Sequence, residues 1–295
     1  MHSNELKGIF NATGANIYYE SKGNGENLLL IHAGIVDSRM WDNEFNLLSE
    51  KYRVVRFDLP GFGLSDFTEG SYNYNLIINE LLIHLDIHHT HILAASFGGK
   101  IALDFYLENP AKCLSLALLS PAISGWNAST FLQNYEEKEE RLIDEGKIEE
   151  TAQYNYEEKE ERLIDEGKIE ETAQYNYATW IQRNRSPEII NPDVKQLIMD
   201  MQRKILTKGE PNVSSEEIEV EDNISQLNNI EIPVLIVNGQ CDVPDFLEIA
   251  EVMIKEIPNV KNIIIPNTAH LANLESPELF LKIISEFFAE NTNKS

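Results

Sequence analysis

Short apolar runs and stretches of helical period alternate along the first 121 residues. Asn27 to Ile31, Arg53 to Asp58, Ile92 to Ala95 and Cys113 to Leu119 are too short for helices, and all but the Arg53 run are almost continuously apolar. They predict strands buried on both faces, as in a parallel sheet. Between them, Asn75 to Leu85 sets Ile77, Ile78, Leu81, Leu82 and Leu85 at helical spacing, and Lys100 to Leu107 repeats that period. Ahead of the first buried run, Gly8 to Thr13 and Ala15 to Glu20 predict a hairpin turning at Thr13-Gly14. From about Ala122 to Asn228 the alternation stops and the chain becomes polar and helical. It resumes with a strand at Val234 to Asn238, a helix at Asp245 to Ile257, a strand at Asn262 to Ile265, and a last helix opened by Ser276 as N-cap and Pro277 at its first position. The pattern predicts an α/β core made of residues 1–121 and 229–295, interrupted by a helical insertion at 122–228.

The candidate chemistry lies where these runs end. Ser96 falls between a strand and a helix, in Ala94-Ala95-Ser96-Phe97-Gly98. A serine on so sharp a turn needs small residues two before and two after it, and the helix that follows aims its free N–H groups beside the hydroxyl. One histidine follows Ser96, His270, after the strand ending at Ile265. An acid precedes that histidine in Val234-Leu235-Ile236-Val237-Asn238-Gly239-Gln240-Cys241-Asp242. A serine, an acid and a histidine are the side chains that a nucleophile, an orienting carboxylate and a general base require. Asp245 is the rival for the acid, three residues on; Asp242 is preferred because it follows the strand and glycine turn directly.

With these residues the sequence resembles the α/β-hydrolase superfamily, in its serine-nucleophile branch of carboxylesterases and 3-oxoadipate enol-lactonases. Asp58-Leu59-Pro60-Gly61-Phe62-Gly63-Leu64-Ser65 and His270-Leu271-Ala272-Asn273-Leu274-Glu275-Ser276-Pro277 match its further motifs. The resemblance implies a mostly parallel sheet flanked by helices, with the insertion as a helical cap over the site. It implies catalysis by Ser96, Asp242 and His270 and an oxyanion hole from the backbone N–H groups of Gly34 and Phe97, in a His32-Ala33-Gly34 stretch with Ala33 where the family usually has glycine. It implies cleavage of a small carboxylic ester or lactone through an acyl-enzyme, with no metal or organic cofactor. Trp126, Phe131, Trp180 and Ile181 are the cap residues expected at the substrate pocket. His32 and Trp41 are expected to be structural. Two alternatives stay open: a cofactor-free haloperoxidase or perhydrolase with the same triad, and a triad-bearing signalling receptor that binds a ligand and a partner protein.

Charge narrows the partners. With 24 Lys+Arg against 49 Asp+Glu the net charge is -25, which speaks against nucleic acid or an anionic membrane surface. Met1 to Gly8 is polar, and no apolar run approaches the length of a membrane span. A cytoplasmic protein is expected. Cys113 and Cys241 stand in strand-like surroundings and form no disulfide framework. His84, His88, His89 and His91 straddle a helix end and a strand start, which reads as a loop cluster rather than a metal site.

Within the insertion, Tyr135 to Asn155 recur unchanged as Tyr156 to Asn176. Complete identity points to a duplication rather than a repeat architecture. The junction, Ile148 to Glu166, has neither proline nor glycine and predicts one long helix. Such a helix must break near Tyr154 to Glu157, shift the register of the cap, or reach a second molecule; the last, a cap-exchanged homodimer, is favoured.

Overall fold

The computed structural model describes residues 5–126, 164, 167–208 and 215–292. Its frame is an eight-stranded sheet, in spatial order β1 (Glu5–Ala12), β2 (Ala15–Lys22), β4 (Arg53–Phe57), β3 (Asn27–Ile31), β6 (Thr90–Ala95), β7 (Cys113–Leu119), β9 (Val234–Gly239) and β10 (Val260–Ile265). The hairpin of β1 and β2 is antiparallel, and β2 meets β4 antiparallel. Thr13 and Gly14 turn the hairpin with φ of 48° and 81°, both left-handed, which matches the twist of the paired strands. From β4 onward every neighbour is parallel.

The continuous apolar runs are explained by two core layers. Leu29, Ile31, Ile92, Ala94, Leu116, Leu118 and Ile236 point to one face. There they meet helices α1 (Tyr74–His84), α2 (Phe97–Glu108) and the later helix Pro244–Glu256. Leu28, Leu30, Leu93, Ala95, Ala117, Leu119, Leu235 and Val237 point to the other, under Phe45 of the helix Asp42–Leu48 and Phe280, Ile284 and Phe288 of the last helix, Pro277–Asn291. The strands β3, β6, β7 and β9 thus bury both faces, and the parallel strands end on one common edge.

Several expectations change. Ser276 precedes the last helix but makes no side-chain cap hydrogen bond. Cys241 sits in the turn after β9, half-buried, rather than in a strand. A two-stranded parallel sheet joins β5 (Gly70–Tyr72) to β8 (Ser215–Glu217), pairing two polar stretches whose period gave no sign of it. Ile181, expected at the pocket, is fully buried in the core layer against which Trp180 packs, within the π-helical turn Tyr177–Gln182. Of the insertion, the helices Ile169–Asn176 and Pro192–Lys208 are described. Phe131, the whole first copy of the repeat, and the junction 148–166 apart from Ile164 lie outside the described residues. Among the described residues, no helix is long and apolar enough to cross a membrane.

Candidate active site

Ser96 leaves β6 with φ 52° and ψ −119°, a conformation that costs on the order of 1–3 kcal/mol for a side-chain-bearing residue and persists only where its surroundings impose it. They do so here. The Ser96 N–H donates to Leu119 O at 2.9 Å, and its carbonyl accepts from Gly99, Lys100 and Ala122 at 2.8, 3.2 and 3.1 Å. Gly98 has to be glycine: a Cβ there would stand 2.5 Å from His32 O and 2.7 Å from Ile31 O. These are the tight positions that the small-residue spacing predicted.

Gly34 lies against Phe97, so close that a Cβ on it would sit 3.3 Å from Phe97 Cβ. Neither its N–H nor that of Phe97 donates to an acceptor among the described residues. Ala33, buried, has no left-handed φ, so its methyl group adds no backbone strain in place of glycine. His32 is buried, its Nδ1 bonded to Ala33 O at 2.8 Å and its Nε2 accepting the Leu59 N–H at 2.9 Å. Burial holds its pKa below the ordinary histidine value, so the ring serves as a neutral spacer. Asp58 fixes the glycine loop beside it, accepting the N–H groups of Ser38 at 2.9 Å and Leu64 at 2.7 Å.

His270 and Asp242 meet at the far end of the same edge. Asp242 Oδ1 accepts from His270 Nδ1 at 2.8 Å and from the Val243 N–H at 2.7 Å. A carboxylate accepts only, so the proton is on Nδ1 and Nε2 presents its lone pair. The residues are 4% and 1% exposed. Asp245, also buried, begins the following helix and does not take this hydrogen bond. Gly239 lets the two loops touch: a Cβ there would fall 2.1 Å from Ala269 O. Among the described residues, the His270 side chain makes its hydrogen bond to Asp242 and none joins it to Ser96 Oγ; such a bond between nucleophile and base often tightens only with substrate.

Two aromatic rings flank the imidazole. Trp180 lies 4.9 Å from it and Phe246 4.4 Å, centroid to centroid, and they touch each other at 5.7 Å. Trp180 also accepts the His270 N–H on its carbonyl at 3.3 Å. Trp126 packs on the core layer against which Phe97 and Phe62 also pack. Phe246 was not singled out from the sequence; its signal was its place four residues after Asp242, one turn into a helix. His84 stacks on Phe10 while His91 is buried against Ser115 and Glu26. Among the described residues, no three His, Cys, Asp or Glu side chains form a metal-binding group.

Residues 26–277 match the model of the alpha/beta hydrolase fold family. The pimeloyl-[acyl-carrier protein] methyl ester esterase of Nitrosomonas europaea is 21% identical over 274 residues, 90% of this chain and 97% of that one. Among solved structures, a thermophilic esterase from Thermogutta terrifontis superposes with a TM-score of 0.74 at 22% identity, over 98% of this chain and 100% of its own. The enol-lactonase from Burkholderia xenovorans LB400 does so with a TM-score of 0.72 at 17% identity, over 95% and 99%.

Proposed function

The chain belongs to the alpha/beta hydrolase fold family, and from that membership we propose that it is a serine hydrolase that cleaves small carboxylic esters or lactones through an acyl-enzyme. The observation that carries the reading is the 2.8 Å Asp242–His270 hydrogen bond on the strand edge where Ser96 holds its strained turn. In this mechanism His270 Nε2 takes the Ser96 proton as Oγ attacks the acyl carbon. Asp242 holds the ring by Nδ1 and stabilises the imidazolium. The Gly34 and Phe97 N–H groups receive the oxyanion. His270 then gives the proton to the leaving alcohol, and water, deprotonated by the same nitrogen, releases the acid and restores Ser96.

Residues 122–228 act as the cap in this reading, with Trp180 and Phe246 as an apolar wall for the acyl or alcohol group. Related proteins named for a methyl ester and for an enol-lactone make both substrate classes the first to try. A fluorophosphonate should label Ser96 and no other residue, and an ester and lactone panel run beside Ser96→Ala should rank substrates by acyl size. Hydrolysis that persists in Ser96→Ala would sink the proposal. Repeating p-nitrophenyl acetate turnover with peroxide and bromide separates a perhydrolase from an esterase. The duplicated segment is assigned, in the same reading, to a homodimer by exchange of cap helices.

A further inference from the structure

Five backbone groups of the loop before and at His270 are bound from outside it, and two of them depend on residues absent from the motifs, Trp180 and Arg185. The Asn267 N–H donates to Gln240 Oε1 at 3.1 Å. Thr268 O accepts from Cys241 N–H at 2.8 Å, within the core. The His270 N–H goes to Trp180 O. Asn267 O accepts from Arg185 Nη1. The Ala269 N–H, adjacent to the histidine, donates to Glu275 Oε1 at 2.8 Å, and Glu275 Oε2 is paired with Arg185 Nη1 at 2.7 Å. The ion pair is enclosed, with side chains 9% and 5% exposed. The rest of the guanidinium is used as well: Nε donates to Gln182 O at 3.2 Å and Nη2 to Ile181 O. One side chain therefore closes the π-helical turn that carries Trp180 and grips the loop that carries His270.

We propose that Arg185 is a positioning residue for His270, acting through Glu275 and the Ala269 amide to hold the imidazole against Asp242. The proposal rests on the reading of His270 as the general base. An imidazole that must serve both Asp242 and Ser96 tolerates displacement of only a fraction of an ångström. Asn267, at φ 59°, leaves the loop a backbone turn that needs external support. A planar guanidinium supplies donors in fixed directions to the carboxylate and the two carbonyls, which an ammonium cannot do together.

The test uses the full chain with Arg185→Met, Arg185→Lys, Glu275→Gln and the Met/Gln double variant. Three quantities are measured: kcat and KM on p-nitrophenyl butyrate, thermal unfolding, and the downfield proton resonance of the His270 Nδ1–H. Arg185→Met should lower kcat by roughly 100-fold, the loss associated with misplacement of a reacting group by about 1 Å, with KM little changed and the downfield resonance broadened. Glu275→Gln keeps an oxygen for the Ala269 N–H and should lose less. The double variant should be no worse than Arg185→Met, and Arg185→Lys should recover part of kcat. A folded Arg185→Met with unchanged kcat and a sharp Nδ1–H resonance would overturn the proposal, as would a loss confined to KM. If Arg185→Met fails to fold, Arg185→Lys and Glu275→Gln decide it by the same readouts. The resonance reads the histidine without turnover, so failure of the esterase reading, seen as wild-type inactivity, is distinguishable from failure of this one.

Discussion

The edge formed by the ends of β6, β9 and β10 and the inserted segment that crosses it both reach His270, by opposite means. On the edge, Ser96, Asp242 and His270 stand at or just past strands of one parallel sheet; β6 and β9 are packed on both faces, and β10 takes its register from its pairing with β9. Their position is a consequence of the whole sheet. The segment from Ile169 to Lys208 has no strand in that sheet; it is held by a few side chains, with Ile181 and Tyr177 buried beneath it and Arg185 and Trp180 fixed to the histidine loop. Substitutions on the edge should therefore abolish chemistry without loosening the protein. Substitutions in the segment should alter binding and alignment by smaller factors.

The largest effect tests the edge. Ser96→Ala and His270→Ala should each lower kcat by about 10⁴ or more with thermal unfolding unchanged, and Asp242→Asn by about 10⁴, because the amide presents a donor where Nδ1–H needs an acceptor. Asp245→Asn, outside the hydrogen bond, should cost less than about tenfold. If Asp245→Asn were the more damaging, the assignment of the acid would be reversed.

The core also carries a weak point of its own beneath this edge. Glu44 is fully buried on the helix Asp42–Leu48, neither of its oxygens has a close hydrogen-bond partner among the described residues, and burial, opposed by the amides of Asn43 and Asn273, pushes its carboxyl up to about 7. Nearby, Asn273 Nδ2 bonds to Met40 O at 3.0 Å. A carboxyl with a folded pKa above its unfolded one binds more protons in the folded state, so its contribution is complete below the unfolded value of about 4.5 and is lost as pH rises through about 7. At 1.36 kcal/mol per unit the loss is about 3 kcal/mol. Asp104, buried and pushed up to about 6, works in the same direction. Urea unfolding across pH 4 to 8 should show stability falling, and Glu44→Gln should remove the larger part of that slope. An unchanged slope would mean that Glu44 is ionised and solvated in the folded protein.

Much of the edge was legible because it rests on local rules. The strand runs, the small residues around Ser96 and the glycine before Asp242 each follow from a backbone constraint that acts within a few residues. The parallel pairing of Gly70–Tyr72 with Ser215–Glu217 was not legible, since strands so short and polar have no period to read. Nor was Arg185, whose partners Asn267 and Glu275 are 82 and 90 residues away. The π-helical turn Tyr177–Gln182 was not legible for a related reason: its period differs from 3.6, so spacing does not say which of its residues is buried.

Trp180 is the clearest test of the segment. Its ring lies against His270 and Phe246, so Trp180→Ala removes apolar wall without touching the Asp242–His270 bond. KM for esters with bulky apolar acyl groups should rise about tenfold, with kcat for acetate esters nearly constant. A collapse of kcat on acetate would place Trp180 among the residues that align the histidine, and the distinction between edge and segment would narrow.

The smallest expected effect comes from removing most residues. In the second copy of the repeat, Thr172, Ala173 and Asn176 are buried, Asn176 Nδ2 donates to Gln202 Oε1 at 2.9 Å, and Arg203 grips Glu170 with Nε at 2.7 Å and Nη2 at 2.9 Å. The first copy offers the same side chains as Thr151, Ala152, Asn155 and Glu149. Deleting Tyr156 to Asn176 joins Asn155 directly to Tyr177, so the sequence entering the π-helical turn is unchanged, and every docking contact can form again with an identical residue. We expect kcat and fluorophosphonate labelling of Ser96 to stay within about twofold. Light scattering on the same pair of proteins addresses the exchanged dimer: a dimer that becomes a monomer on deletion supports it, while two monomers exclude it and leave the docking argument in place. A loss of activity in a folded, single-copy protein would instead mean that the extra 21 residues have become part of the inserted segment's hold on the site.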